Sequence, residues 1–384
     1  MVGASVAGVR VVQALRSSGH DSPVVLVDRE NGAPYDKPAL SKEVLTSPGT
    51  DPSVLLDDAG LRDLDVDLRV GTTITGIAPA TRQLESSDGE RIAFGALVVA
   101  TGSAPRRIPL LDAFTGVHYL RTRADAEAIR AAFAQRPRVV VVGGGFVGLE
   151  VASSARSLGL EVTVVEAAHR PAGRVLPAAV ADHLAALHRE HSVRLLCGRT
   201  VVGGLGSTRI EGLELDDGTR LPADLVVVGI GTAPVTDWLG GGVPTTGDGV
   251  HCDPGLAVHG LSRTWAVGDV AAWPDAETGH PRRTEHWTTA REQAAYVAKV
   301  IAGGQVSEPF RTTGYVWSDQ HGTRIQHVGR AGPGTVTRSE PTDTGRLFVH
   351  CRGDEVTGAT AFDAPRELLA VRRLLTTGNR EVAR

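Results

Sequence analysis

Three glycines spaced as Gly143-x-Gly145-x-x-Gly148, in the run VVVVGGGFVGLE, close a stretch of four valines and open an apolar helical segment. In that pattern the first glycine allows a tight turn out of a strand, the second lets the backbone approach a pyrophosphate, and the third lets helix and strand pack closely. The amides at the start of the helix then hold the phosphate oxygens. The next strand-like run, EVTVVE, ends on Glu166, 23 residues after Gly143. That is close to the ~20 at which a carboxylate meets the ribose of a dinucleotide. A carboxylate there accepts from both ribose hydroxyls and repels a 2′-phosphate, so NADH is expected in preference to NADPH. Arg170, four residues later, leaves room for partial tolerance of NADPH.

A second fingerprint opens the chain: Gly3-Ala4-Ser5-Val6-Ala7-Gly8, with serine in place of the middle glycine and Asp28 ending the next strand 25 residues after Gly3. Ser5 carries a Cβ where a phosphate would approach, so this motif is the weaker of the two. Only Met1 and Val2 precede Gly3, which leaves the first strand of the sheet nearly absent. The expectation is a start further upstream, with looser nucleotide binding as the alternative.

These loops need a scaffold, and the chain provides one. Valine-rich runs at 24–27, 96–100, 139–142, 162–165 and 225–228 are uninterrupted apolar segments of the kind that form parallel strands buried on both faces. Helical patterns at 7–18, 124–135, 146–158 and 178–188 lie between them, giving an α/β doubly wound architecture. The stretch 74–102 parallels 201–231: each reads as a small β-meander with an Asp-Gly turn, then a buried strand ending in a glycine loop. Two nucleotide-binding domains of one design are implied. After about residue 303 the texture changes to shorter alternating segments and a closing helix at 365–375, a third, α+β domain.

Composition narrows the field. The chain has 384 residues, enough for two or three domains, and 46 glycines, about 12% against a usual value of about 7%. With 40 basic and 44 acidic residues the net charge is −4, so there is no bulk electrostatic case for nucleic acid or an anionic membrane. No apolar run approaches a membrane span and the start does not read as a signal peptide, so a cytoplasmic location is expected. Cys197, Cys252 and Cys351 lie far apart. Their spacing excludes a readable disulfide framework, a zinc knuckle and a vicinal dithiol, and they read as buried small hydrophobes. No metal-ligand spacing and no Ser-His-Asp arrangement is present.

Five further segments occur in a telling order: APYDKPALSKEVL (33–45), LVVATGSAPRRIP (97–109), TWAVGDVAAWP (264–274), RRTEHWTTAREQ (282–293) and GYVWSDQHGTRIQHVG (314–329). With the two fingerprints they resemble the FAD-dependent, NADH-dependent ferredoxin reductases, the group of putidaredoxin reductase and the reductases of aromatic-ring dioxygenases. The resemblance covers essentially the whole chain. The GD motif marks many flavoproteins, whereas PYDKPALSK, EHW and WSDQ are more specific.

The resemblance implies two Rossmann-like dinucleotide-binding domains, one for FAD and one for NADH, plus a C-terminal α+β domain. Residues 1–106 and 234–305 would bind FAD, 107–233 NADH, and 306–384 would form the last domain. Gly3, Ser5, Gly8 and Asp28 would hold the ADP half of FAD, with Lys37 near the ribose and phosphates. Thr101 and Gly102 belong to the first glycine loop after a meander and Gly231 to the second. Asp269 would bind the ribityl chain or pyrophosphate, and Trp287 would place its backbone at the pyrimidine edge of the flavin. Lys42 would lie by flavin N5, paired with Glu150, and Trp317 against the isoalloxazine. A solvated surface lysine and ordinary core packing are the alternatives for Lys42 and Trp317. His286 reads as structural.

The segment 34–37, Pro-Tyr-Asp-Lys, carries no sulfur, unlike the paired dithiol of glutathione-reductase types or the single cysteine of coenzyme A-disulfide reductase types. Electrons would therefore leave the flavin directly for an outside acceptor, a [2Fe–2S] ferredoxin reached by two single-electron steps. A basic docking patch for an acidic ferredoxin would draw on Arg282, Arg283, Arg311, Arg324, Arg366, Arg372 and Arg373. Gly314 and Val316 stand where the family commonly has Pro and Phe, which implies a looser flavin pocket wall. Two other readings stay open: a quinone or monodehydroascorbate-type NADH reductase, and an NADH-sensing flavoprotein of the apoptosis-inducing-factor type.

Overall fold

A computed structural model describes residues 1–240, 243–247, 249–275, 278–304, 308–332 and 334–377. The ends of the expected C-terminal segment, 306–307 and 378–384, and residue 333 within it lie outside the described residues. By internal contacts the chain forms two compact units. The first comprises Met1–Asp36, Ser53–Ala104 and Thr232–Gly314, and the second Lys37–Pro52, Pro105–Gly231 and Tyr315–Arg384.

In the first unit, strand Val24–Val27 pairs in parallel with Val66–Arg69, and Leu97–Val99 pairs in parallel with Thr264–Ala266. Val2 joins the two pairs by parallel bridges to Val27 and Val99. Its N–H donates to Val98 O at 3.0 Å and its carbonyl accepts from Ala100 N at 2.8 Å, while Gly3 N donates to Val27 O at 2.8 Å. The first strand is reduced to Val2, 6% exposed, which makes a single-residue bridge to the strand on each side. Helix Val6–Ser17 follows and buries Val9, Val11, Val12 and Leu15 in the same core as Leu26, Leu97 and Val99.

The second unit repeats the plan with a full first strand. Its parallel sheet runs Arg194–Cys197, Val162–Glu166, Val139–Val142, Leu225–Val228, Val117–Tyr119. All four valines of 139–142 and all of 225–228 are buried, as central strands covered on both faces require. The two meanders match in detail. Ile74–Ala78, Gln83–Ser86 and Arg91–Ala93 form one antiparallel sheet, and Val201–Leu205, Gly212–Leu215 and Arg220–Pro222 the other. Each has a register irregularity at the same place, between Ile74 and Gly76 and between Val201 and Gly203. Helices Phe146–Ser157 and Ala178–Glu190 complete this plan within one residue or two of the sequence pattern.

The second unit also holds a five-stranded antiparallel sheet in the order Val316–Gln320, Thr323–Gly329, Glu355–Phe362, Arg346–Arg352, Val336–Pro341. Helix Pro365–Thr377 covers it, burying Leu368 and Val371 against Val328, Leu347, Val356 and Ala361. No helix among the described residues is long and apolar enough to cross a membrane.

Candidate functional site

The two fingerprint loops are built alike. Gly3 and Gly143 have φ of +106° and +108°, and a Cβ on either would lie 2.2 Å from Ala100 O or 2.3 Å from Gly229 O. Only glycine fits both the left-handed backbone and that approach. A Cβ on Gly8 or Gly148 would lie 2.0 Å from Gly3 O or 2.1 Å from Gly143 O, which is the close helix packing the third glycine permits. The middle position differs. Gly145 has extended backbone (φ −75°, ψ 175°) and open space where a Cβ would be, and Ser5 has nearly the same backbone (φ −86°, ψ −167°). The serine is therefore conformationally free there, and its Cβ occupies only space that a phosphate could otherwise use.

Each loop is tied to its acid. Asp28 Oδ2 accepts from Ala4 N at 2.6 Å, and Glu166 Oε2 accepts from Gly144 N at 2.6 Å. The other oxygens accept from Glu30 N at 2.9 Å and Ala168 N at 2.7 Å. A carboxylate has about four lone-pair sites, so both retain capacity for ribose hydroxyls. Helices Val6–Ser17 and Phe146–Ser157 have no side-chain cap and no acid in their first turns. Helix Arg123–Phe133, in contrast, carries a full Thr122/Asp125 capping box. First-turn amides left without a side-chain acceptor, an open middle position and an acid fastened to the loop form a donor set that fits a dinucleotide at each loop. Arg170 pairs with Asp182 at 2.7 Å, with both side chains largely exposed.

Other expected residues are distributed as follows. Thr101 Oγ1 donates to Val235 O at 2.8 Å, and Gly102 O accepts from Val235 N at 3.0 Å. Gly231, at φ +98°, accepts from Arg106 N at 2.9 Å. Asp269 sits in the turn Gly268–Val270 after strand Thr264–Ala266, accepting from Ser103 Oγ at 2.8 Å, while its carbonyl accepts from Arg283 Nη1 at 3.0 Å. Trp287 begins helix Trp287–Ile301 and donates from Nε1 to Asp36 Oδ1 at 2.7 Å. The PYDK and EHW segments thus meet through their side chains, and Asp36 is a residue the sequence reading did not single out.

In the second unit Lys37 opens the short helix Lys37–Ser41, which leads into Lys42. Lys42 Nζ lies 2.9 Å from Glu150 Oε2 and donates to Pro38 O at 2.9 Å. The Lys42 side chain is 16% exposed and that of Glu150 only 6%, so Lys42 is not a solvated surface lysine. Glu150 Oε2 also accepts from Ser41 Oγ, and Oε1 accepts from Ser318 Oγ at 2.5 Å. Hydrogen bonds to the charged form are what make such burial tolerable. Trp317, half-buried on strand Val316–Gln320, stacks on Tyr315 with ring centroids 6.2 Å apart. Ser41, Ser318 and Gln320 were overlooked beside LSK and WSDQ, although their motifs were recognised.

The cysteines fit a structural role. Burial pushes the Cys252 thiol up to about 12 and raises that of Cys197. Cys197 is only half-buried, because it ends the edge strand of its sheet. Burial also pushes His286 down to about 4, and its Nδ1 has no hydrogen-bond partner. Of the arginines suggested for docking, Arg283 is 13% exposed and paired with Glu285 at 2.7 Å, Arg282 is paired with Asp275, and Arg324 with Asp319. Arg311, Arg366 and Arg373 are exposed.

Two loops of dinucleotide-binding form, a buried lysine–glutamate pair and thiols without redox partners define a two-nucleotide oxidoreductase. The chain belongs to the pyridine nucleotide-disulphide oxidoreductase family, whose model matches residues 1–294, and a reductase C-terminal family model matches residues 315–384. It is 34% identical to the anthranilate 1,2-dioxygenase system ferredoxin–NAD(+) reductase component of Burkholderia cepacia, over 98% of this chain and 94% of that one. Its fold is similar to the reductase in the covalent putidaredoxin reductase–putidaredoxin complex, with a TM-score of 0.91, 30% identity, and coverage of 98% and 92%. It is also similar to the ferredoxin reductase for the CYP199A2 system of Rhodopseudomonas palustris, with a TM-score of 0.92, 29% identity, and coverage of 99% and 94%.

Proposed function

We propose that the chain is a cytoplasmic NADH-dependent flavoprotein that delivers electrons to a [2Fe–2S] ferredoxin serving an oxygenase, either a cytochrome P450 or a ring-hydroxylating dioxygenase. The observation that carries this reading is the repeated loop: one chain holds two dinucleotide cradles, each with its acid tied to the loop amide. Residues 1–106 with 234–305 form the FAD-binding domain, 107–233 the NADH-binding domain, and 306–384 the C-terminal domain.

FAD, when bound, supplies the change from two-electron uptake to one-electron release. The chain's own groups bind, orient and exclude. Gly3, Ser5, Gly8 and Asp28 hold the ADP portion, assisted by Lys37, and Thr101, Gly102, Asp269 and Trp287 hold the remainder. Gly143, Gly145, Gly148, Glu166 and Gly231 hold NADH, and the Glu166 carboxylate disfavours a 2′-phosphate. Lys42 would supply positive charge for a reduced flavin, Glu150 holds Lys42 in place, and Trp317 would offer an aromatic face.

The test is steady-state turnover of the FAD-loaded chain with NADH, using [2Fe–2S] ferredoxins and then quinones or dyes as acceptors. Cytochrome c reduction that depends on ferredoxin supports the reading. Fast turnover with quinones and none with a panel of ferredoxins would favour a small-molecule reductase instead.

A further inference from the structure

The WSDQ segment contributes more than its tryptophan. Ser318 and Gln320 are 0% and 1% exposed, and they connect Glu150 to two histidines. The chemistry of each group fixes the direction of every link. An ionised carboxylate has only lone pairs, so the Ser318 hydroxyl donates to Glu150 Oε1 at 2.5 Å. The Ser318 oxygen accepts from Gln320 Nε2 at 2.8 Å, which leaves Gln320 Oε1 as an acceptor facing His188 Nε2 at 2.7 Å. His188 Nε2 must therefore carry the proton.

His188 is fully buried, and that burial pushes it down to about 4, so it is neutral and its Nδ1 is a lone pair. That lone pair faces His321 Nε2 at 3.1 Å, which must then be the donor. His321 is itself pushed down to about 3, first by burial and then by His188, His191 and Arg156. Its ring stacks on the exposed His191 at 4.2 Å. Four hydrogen bonds thus run one way, from the partly buried His321 to the carboxylate that holds Lys42.

We infer that His188 is a positioning residue for Glu150: its Nε2–H fixes the Gln320 amide, the amide fixes the Ser318 hydroxyl, and that hydroxyl fixes Glu150 Oε1, leaving Oε2 for Lys42 and Ser41. Without the His188 donor the Gln320 amide is free to turn its oxygen toward Ser318. The hydroxyl then donates to Gln320 and abandons Glu150. The inference rests on the roles proposed above for Lys42 and Glu150.

Long-range 1H–15N spectra of the FAD-loaded, histidine-labelled chain at pH 7 test it. Both His188 and His321 are expected as the Nε2–H tautomer. Glu150→Gln, whose amide can donate back to Ser318, is expected to convert part of the His188 signal to Nδ1–H, three hydrogen bonds away. His188 as Nδ1–H in the parent, or a His188 signal indifferent to Glu150→Gln, would overturn the inference. His188→Leu, or Gln320→Leu should the first fail to fold, is expected to slow anaerobic flavin reduction by NADH about tenfold, the low end for loss of an outer hydrogen-bonded partner. The NADH dissociation constant is expected to stay within about twofold, because no nucleotide contact is removed. Unslowed reduction in a folded variant would equally overturn it. A parent chain that NADH fails to reduce would count against the proposed function instead, and the tautomers would still judge the chain of hydrogen bonds.

Discussion

Lys42 Nζ and Glu150 Oε2 meet at 2.9 Å in a nearly dry setting, and Glu150 accepts two further serine hydroxyls there. Such a pair adds little net stability over an apolar substitute, but removing one member strands the other. Lys42→Met is therefore expected to cost about 2 kcal/mol, the serines softening the usual ~3–5 kcal/mol for an orphaned buried charge. Lys42→Met/Glu150→Leu should recover most of that loss in urea denaturation, while flavin reduction by NADH remains slow in both.

The glycine loops separate stability from binding. Gly143→Ala places a Cβ 2.3 Å from Gly229 O at φ +108°, and is expected to cost about 3 kcal/mol through strain and displacement. Gly145→Ala meets open space with extended backbone, so stability should change by less than about 1 kcal/mol. The NADH dissociation constant of Gly145→Ala should nevertheless rise about tenfold, a loss of ~1.4 kcal/mol. Thermal melts beside fluorescence titrations read the two effects separately.

Stability should fall on mild acidification. His188 and His350 are fully buried and held at about 4, below the unfolded value of 6.5. Between those values the unfolded chain binds the protons and the folded chain does not, so stability present above pH 6.5 is lost as pH falls toward 4. Each histidine adds a slope of about 1.4 kcal/mol per pH unit near pH 5. His350→Gln should flatten the dependence of the urea midpoint on pH by about one proton.

Helix Pro365–Thr377 presents Arg366 and Arg373 on either side of Leu369, which is 47% exposed. If this face meets an acidic ferredoxin, Arg366→Glu/Arg373→Glu should lower kcat/KM for ferredoxin about tenfold at low salt. The loss should shrink at high salt and be absent with dyes. An equal loss with dyes would place the effect elsewhere.

Much of this was legible in the sequence because the constraints are local. A glycine at positive φ beneath a neighbouring carbonyl admits no other residue, and a strand covered on both faces reads as consecutive valines. The meander repeat was visible as two Asp-Gly turns at matching places, whereas the register irregularity the two copies share emerged only from the strand pairing. What escaped notice depends on pairing across the fold. Asp36 gains its role from Trp287, Ser41 and Ser318 gain theirs from Glu150, and His188 from Gln320. In the segment ADHLAALHRE no local signature distinguishes His188 from core packing, or from His183 beside it. At Val2 the sequence suggested a nearly absent first strand, and the structure has only single-residue bridges there.

The most direct test of the account is an anaerobic visible titration of the FAD-loaded chain with NADH and, in parallel, with NADPH. NADH is expected to bleach the flavin at concentrations at least tenfold below NADPH, and Glu166→Ser to narrow the gap. A flavin that binds but is bleached by neither nucleotide, or equally by both in parent and variant, would contradict it.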